Sequence, residues 1–172
     1  SRTAYRYPVQ YVSRVSALLY GSHVNDSRVA PYSTKAALAL FGTYGYEMNP
    51  NKLTEGEIAD LARTAEIYRK YHADVIEDGT LYHLRAPFAG NTMCMQCVSK
   101  DKKASLVLFM NKLKEPDIFR FVKLKGLDAK KKYRNTLDNQ VHSGEYYARI
   151  GLNLSREWLE EFSHRLIVLT EE

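Results

Sequence analysis

Two cysteines stand three positions apart, Cys94 and Cys97. That spacing can open a zinc site or close a disulfide, so it is the first place to look for chemistry. The stretch around them, Thr-Met-Cys-Met-Gln-Cys-Val, reads as a strand over 92–98, and the pleat of a strand turns positions 94 and 97 to opposite faces. At a strand's rise their Cα atoms would be about 10 Å apart, too far for a disulfide. Two ligands make no zinc site without further Cys or His nearby. The expectation is a pair of buried free thiols in a reducing compartment, with no metal and no cofactor.

Two further residue sets carry potential chemistry. Lysines cluster at Lys100, Lys102 and Lys103, at Lys123 and Lys125, and at Lys130, Lys131 and Lys132. A nucleic-acid surface needs such charge aligned with aromatic rings on one face. Each cluster falls where a turn or strand end is expected, so these read as solvated lysines and no nucleic-acid partner is expected. Tyrosine occurs 13 times, and Tyr82, Tyr133, Tyr146 and Tyr147 lie in the part that reads as β-structure. Tyrosine packs its ring and hydrogen-bonds with its tip, which suits a sugar surface or a core equally well. Placed on one expected strand, Tyr146 and Tyr147 face opposite ways and form no coplanar platform, but a carbohydrate-binding β-sandwich module without hydrolase activity stands as the alternative function.

These residues must be held by elements that the hydrophobic pattern lays out. The chain has 172 residues, 45% of them apolar, and a formal charge of +5. That is enough apolar material for a real core. No apolar run approaches the roughly 20 residues of a membrane span, no secretory segment is visible at Ser1, and a cytoplasmic, membrane-free protein is expected.

Up to Gly79 the period is helical. Val9, Val12, Val15 and Leu19 mark a helix over 8–20, ended by Gly21, and 22–24 reads as a short buried strand. Ser33 is placed to cap a second helix running to Phe41, and 43–48 reads as a second short strand before the breaker Asn49-Pro50-Asn51. Thr54 and Glu57 form a capping box for a long helix whose stripe is Ile58, Leu61, Ala65, Tyr68, His72 and Val75. Asp78-Gly79 supplies its left-handed stop. Helix, strand, helix, strand, helix argues for parallel α/β units.

After Gly79 the period switches to two. Strands are expected over 80–85, 92–98, 105–110, 119–124, 132–137, 146–154 and 165–170, with Trp158, Leu159 and Phe162 on a short helix packed against them. The whole is thus α+β, with an α/β part over 1–79 and an antiparallel β-sandwich over 80–172. Two short strands cannot make a covered parallel sheet alone, so the first part reads as the tail of something larger.

Three runs carry a family resemblance: Gly21-Ser22-His23-Val24, the stretch with Phe41-Gly42-Thr43-Tyr44-Gly45-Tyr46-Glu47, and Phe121-Val122-Lys123-Leu124-Lys125-Gly126-Leu127 followed by Lys-Lys-Tyr-Arg. In this order they resemble glycoside hydrolase family 36, bacterial α-galactosidases and their relatives, over nearly the whole chain. The resemblance implies that 1–79 is the C-terminal remnant of a (β/α)8 catalytic barrel, with 22–24 and 43–48 its last two strands, and that 80–172 is the C-terminal β domain.

It also implies retaining hydrolysis of terminal α-galactosides by two carboxylates about 5–5.5 Å apart. The family's Lys-Trp-Asp and Ser-Asp-x-Thr-Asp settings for those acids are absent here, the sole tryptophan being Trp158. No catalytic residue is therefore expected in this chain, both acids lying upstream of Ser1, and the chain alone is expected to be structural and inactive. Barrel sites gather at the C-terminal ends of strands, which makes His23, Asn25, Asp26 and Glu47 the candidate substrate-binding residues. The implied partners are α-galactoside oligosaccharides for the complete enzyme, the rest of the parent chain and further copies in a homo-oligomer.

Overall fold

A computed structural model of the chain describes residues 31–42, 44, 50–86, 90–111, 120–155 and 160–172. The chain divides into two compact units, Ser1–Ala73 and Asp74–Glu172. The expected helix over 8–20 and strand over 22–24 lie outside the described residues, as does all of the expected strand over 43–48 except Tyr44.

In the first unit, helix α1 spans Tyr32–Ala39. Its cap is not Ser33, which lies inside the first turn. Pro31 takes the capping place, with its carbonyl accepting the Thr34 and Lys35 N–H groups, each at 3.1 Å. Proline presets the extended entry and gives up no needed donor there. Ala36 of α1 packs on Leu61, with Tyr32, Tyr44 and Leu53 around the pair.

Helix α2, Glu55–Tyr71, opens with the expected capping box: Glu57 N–H donates to Thr54 Oγ1 at 3.3 Å and Thr54 N–H to Glu57 Oε2 at 2.8 Å. Glu55 and Glu57 in the first turn and Arg69 and Lys70 in the last complement the helix dipole. The apolar stripe starts a turn later than its spacing suggests, since Ile58 is 49% exposed while Leu61 and Thr64 are buried. Thr64 tolerates burial because its hydroxyl donates to the Asp60 carbonyl at 2.9 Å. Tyr68 stacks between Tyr44 and His72, with ring centroids at 4.7 and 4.2 Å.

The end of α2 differs from expectation. The helix widens into a π-turn over His72–Glu77, and Gly79 does not adopt the left-handed conformation of a helix stop. Its role is to leave room: a Cβ there would stand 2.0 Å from the Val75 carbonyl oxygen and 2.6 Å from that of Val98.

The second unit is built on a six-stranded antiparallel sheet in the order β1-β2-β3-β8-β5-β6. Its strands are β1 Thr80–Arg85, β2 Thr92–Val98, β3 Ala104–Asn111, β5 Lys132–Asn135, β6 Val141–Ser143 and β8 His164–Glu171. A two-stranded ribbon, β4 Phe121–Val122 with β7 Leu152–Asn153, accompanies it. Pairing of Cys94 with Phe109 and of Val107 with Ile167 puts these side chains on one face. There they join Tyr133, Leu169, Val122, Leu124, Tyr147, Leu152 and Leu154 in one core. Met93, Met95, Cys97, Leu106, Leu108 and Val168, on the other face, are buried as well, which is why β2 and β3 are mostly apolar on both faces. The second layer of the anticipated sandwich is thus the β4–β7 ribbon with a short helix. A bulge between His83 and Arg85 shifts the β1–β2 register.

The largest correction concerns 146–154. The strict two-residue alternation there predicts a strand, but Gly144–Arg149 form helix α3. Ser143 caps it, accepting the Tyr146 N–H at 3.1 Å, and Glu145 pairs with Arg149 one turn on. Gly144 permits the close approach to the Asp128 carbonyl, where a Cβ would come within 2.0 Å. Local capping and a tertiary fit together override the period. The sequence pattern does not mark β6, and of the expected helix around Trp158 residues 156–159 lie outside the described residues while Phe162 is not helical, with φ +56°.

Replacing Gly79 with alanine should destabilise the protein by about 1–3 kcal/mol, the usual penalty of forced overpacking. Gly90→Ala, where nothing among the described residues lies within 4 Å of the added methyl, should stay within about 0.5 kcal/mol of the parent. Urea unfolding of both variants checks the pair.

Candidate functional site

His23, Asn25, Asp26 and Glu47, the residues proposed to touch substrate, all lie outside the described residues. The polar groups the structure does bring together are in the second unit, and they hold backbone rather than face a cleft.

Gln96 is fully buried on β2. Its Oε1 accepts the Lys125 N–H at 2.8 Å, and its Nε2 donates to the Lys125 carbonyl at 2.9 Å and to Ser105 Oγ at 3.1 Å. Ser105 in turn donates to the Cys97 carbonyl at 2.9 Å. One side chain therefore imitates a neighbouring strand for Lys125. The next residue, Gly126, has φ +73°, and the Tyr82 ring lies where its Cβ would be.

Tyr133 plays the same kind of part at one end of the sheet. Its hydroxyl accepts the Asp128 N–H at 3.0 Å and donates to the Lys102 carbonyl at 2.8 Å. Tyr147, on α3, accepts from Asn135 Nδ2 at 3.0 Å and donates to the Tyr133 carbonyl at 3.2 Å. Burial pushes both phenols above the ordinary tyrosine range, so they stay protonated hydroxyls.

Of the four tyrosines considered for a sugar surface, Tyr133 and Tyr147 are thus core residues and Tyr82 is packed under Gly126. Tyr146 lies flat on His142, with centroids 3.9 Å apart. Tyr146 and Tyr147 occupy successive positions of a helix, not opposite faces of a strand.

The lysine clusters of 100–103 and 130–132 meet at the Tyr133 end of the sheet, where Lys131 Nζ lies 3.3 Å from the Asp101 carbonyl oxygen. Acids are interleaved there: Lys100 pairs with Asp78, Lys103 with Asp101 and Lys131 with Glu171. Three of the six lysines in these two clusters are thus paired with acids. Cys94 and Cys97 are free and buried, and burial pushes each thiol up to about 12. Thiols so protonated are poor nucleophiles at neutral pH. Among the described residues no group of three or more His, Cys, Asp or Glu side chains could hold a metal ion.

The geometry is that of polar side chains holding backbone inside the second unit, and the chain is also similar to known proteins. The model of the glycosyl hydrolase family 36 C-terminal domain matches residues 92–169. This segment is a family 36 C-terminal domain. The chain is similar to α-galactosidase AgaA of Geobacillus stearothermophilus, at 32% identity over 140 residues, 77% of this chain and 19% of AgaA. Among solved structures it resembles the galactosidase domain of the α-galactosidase–sucrose kinase AgaSK, with a TM-score of 0.80 and 26% identity over 88% of this chain and 21% of that one. A variant of AgaA in complex with raffinose gives a TM-score of 0.79 at 28% identity, over 88% of this chain and 22% of that one. The chain spans about a fifth of the length of the curated relatives it matches.

Within the family 36 domain, the motif 121–127 is the segment clamped by Gln96, closed by the Leu124 N–H bond to the Tyr147 carbonyl at 2.9 Å. Sequence reasoning missed Gln96, because a lone glutamine in an apolar strand gives no sign of which distant backbone it will meet.

Three outcomes follow. Gln96→Leu leaves the Lys125 backbone pair and Ser105 without their buried partner and should cost on the order of 3 kcal/mol, against about 1–2 kcal/mol for Tyr133→Phe, both read from urea midpoints. A thiol reagent such as dithionitrobenzoate should label neither cysteine in the native protein and both after denaturation. The third concerns His83. Its Nε2 is buried and finds no hydrogen-bond partner among the described residues, and burial holds its pKa below the ordinary value of about 6.5. The neutral form is thus the folded one: its share of stability is complete above about pH 6.5 and drains away as pH falls through the lower folded value. Urea midpoints between pH 8 and 5 should therefore fall less steeply for His83→Phe than for the parent, and parallel slopes would refute this.

Proposed function

We propose that this chain is the C-terminal part of a retaining α-galactosidase, its catalytic carboxylates being supplied by polypeptide upstream of Ser1. The observation that carries this reading is the likeness to the AgaSK galactosidase domain, which takes in 88% of this chain but 21% of that one. A likeness so distributed fits one portion of a much larger enzyme.

In this reading residues 1–79 are the end of a (β/α)8 barrel, and His23, Asn25, Asp26 and Glu47 sit at the strand ends where such barrels bind substrate. Hydrolysis needs an attacking carboxylate and a proton-donating one across the glycosidic bond. The absence of the Lys-Trp-Asp and Ser-Asp-x-Thr-Asp settings from the sequence supports assigning both elsewhere. The substrates are terminal α-galactosides, the family 36 domain is a structural partner to the barrel, and the enzyme is a cytoplasmic homo-oligomer. The free thiols of Cys94 and Cys97 suit a reducing compartment.

The test is hydrolysis of a nitrophenyl α-galactoside by the purified chain and by the longer protein that contains it. The longer protein should turn substrate over and the chain alone should not. Turnover by the chain alone would overturn the placement of the catalytic acids, and inactivity of the longer protein would overturn the α-galactosidase assignment.

A further inference from the structure

We draw no further inference here: the strongest candidate, the methionine- and leucine-rich second face of the six-stranded sheet with His83 at its margin, is buried along most of its extent, and nothing among the described residues shows what covers it.

Discussion

A carboxamide enclosed by apolar side chains must find partners for its oxygen and its two N–H groups or cost the fold their desolvation. Gln96 finds them on one residue's backbone and one hydroxyl, and that requirement organises the second unit. The β4–β7 ribbon is two residues long on each strand, too short to hold itself in place by ladder bonds. Gln96 fixes Lys125, the residue where the ribbon's chain leaves the core, so Val122 and Leu124 can be delivered to the sheet in register. Tyr133 repeats the device with its hydroxyl, tying the Asp128 amide and the Lys102 carbonyl to a buried ring, and the Tyr147 hydroxyl ties α3 to β5. Apolar packing supplies the bulk of the stabilisation, while these few polar tips decide which loop lies where.

Much of this fold was legible in the sequence wherever one local signal ran unopposed. The turn residues around 80–85 and 92–98 bracket strands whose limits the structure reproduces, and the Thr54–Glu57 box starts its helix where the spacing puts it. Legibility failed where two signals competed. Tyr146, Ala148, Ile150 and Leu152 alternate as a strand should, yet Ser143 and Gly144 begin a helix because the cap and the close approach to Asp128 favour it. Gly79 illustrates the same limit, since the residue type was informative but its reason was steric room and not backbone handedness.

The site was less legible than the fold. The candidate substrate residues rest on the family resemblance and lie outside the described residues, whereas the residues now seen to matter in the family 36 domain are structural. In the motif 121–127 of this chain a glycine, two inward apolar residues and a clamped backbone coincide. Such a pattern identifies a domain without conferring chemistry on it. Two of the four tyrosines weighed for sugar contact, Tyr133 and Tyr147, belong to the core, and three of the clustered lysines, Lys100, Lys103 and Lys131, are paired with acids.

The outermost strands of the sheet also bear on how the protein behaves when crowded. On one side β1 is kinked by the bulge between His83 and Arg85, and on the other β6 offers three residues. A bent border and a stub are poor templates for a strand from a neighbouring molecule, because intermolecular ladders need a long, flat run of free amides and carbonyls. Both borders thus carry the features by which β-rich domains disfavour edge-to-edge pairing.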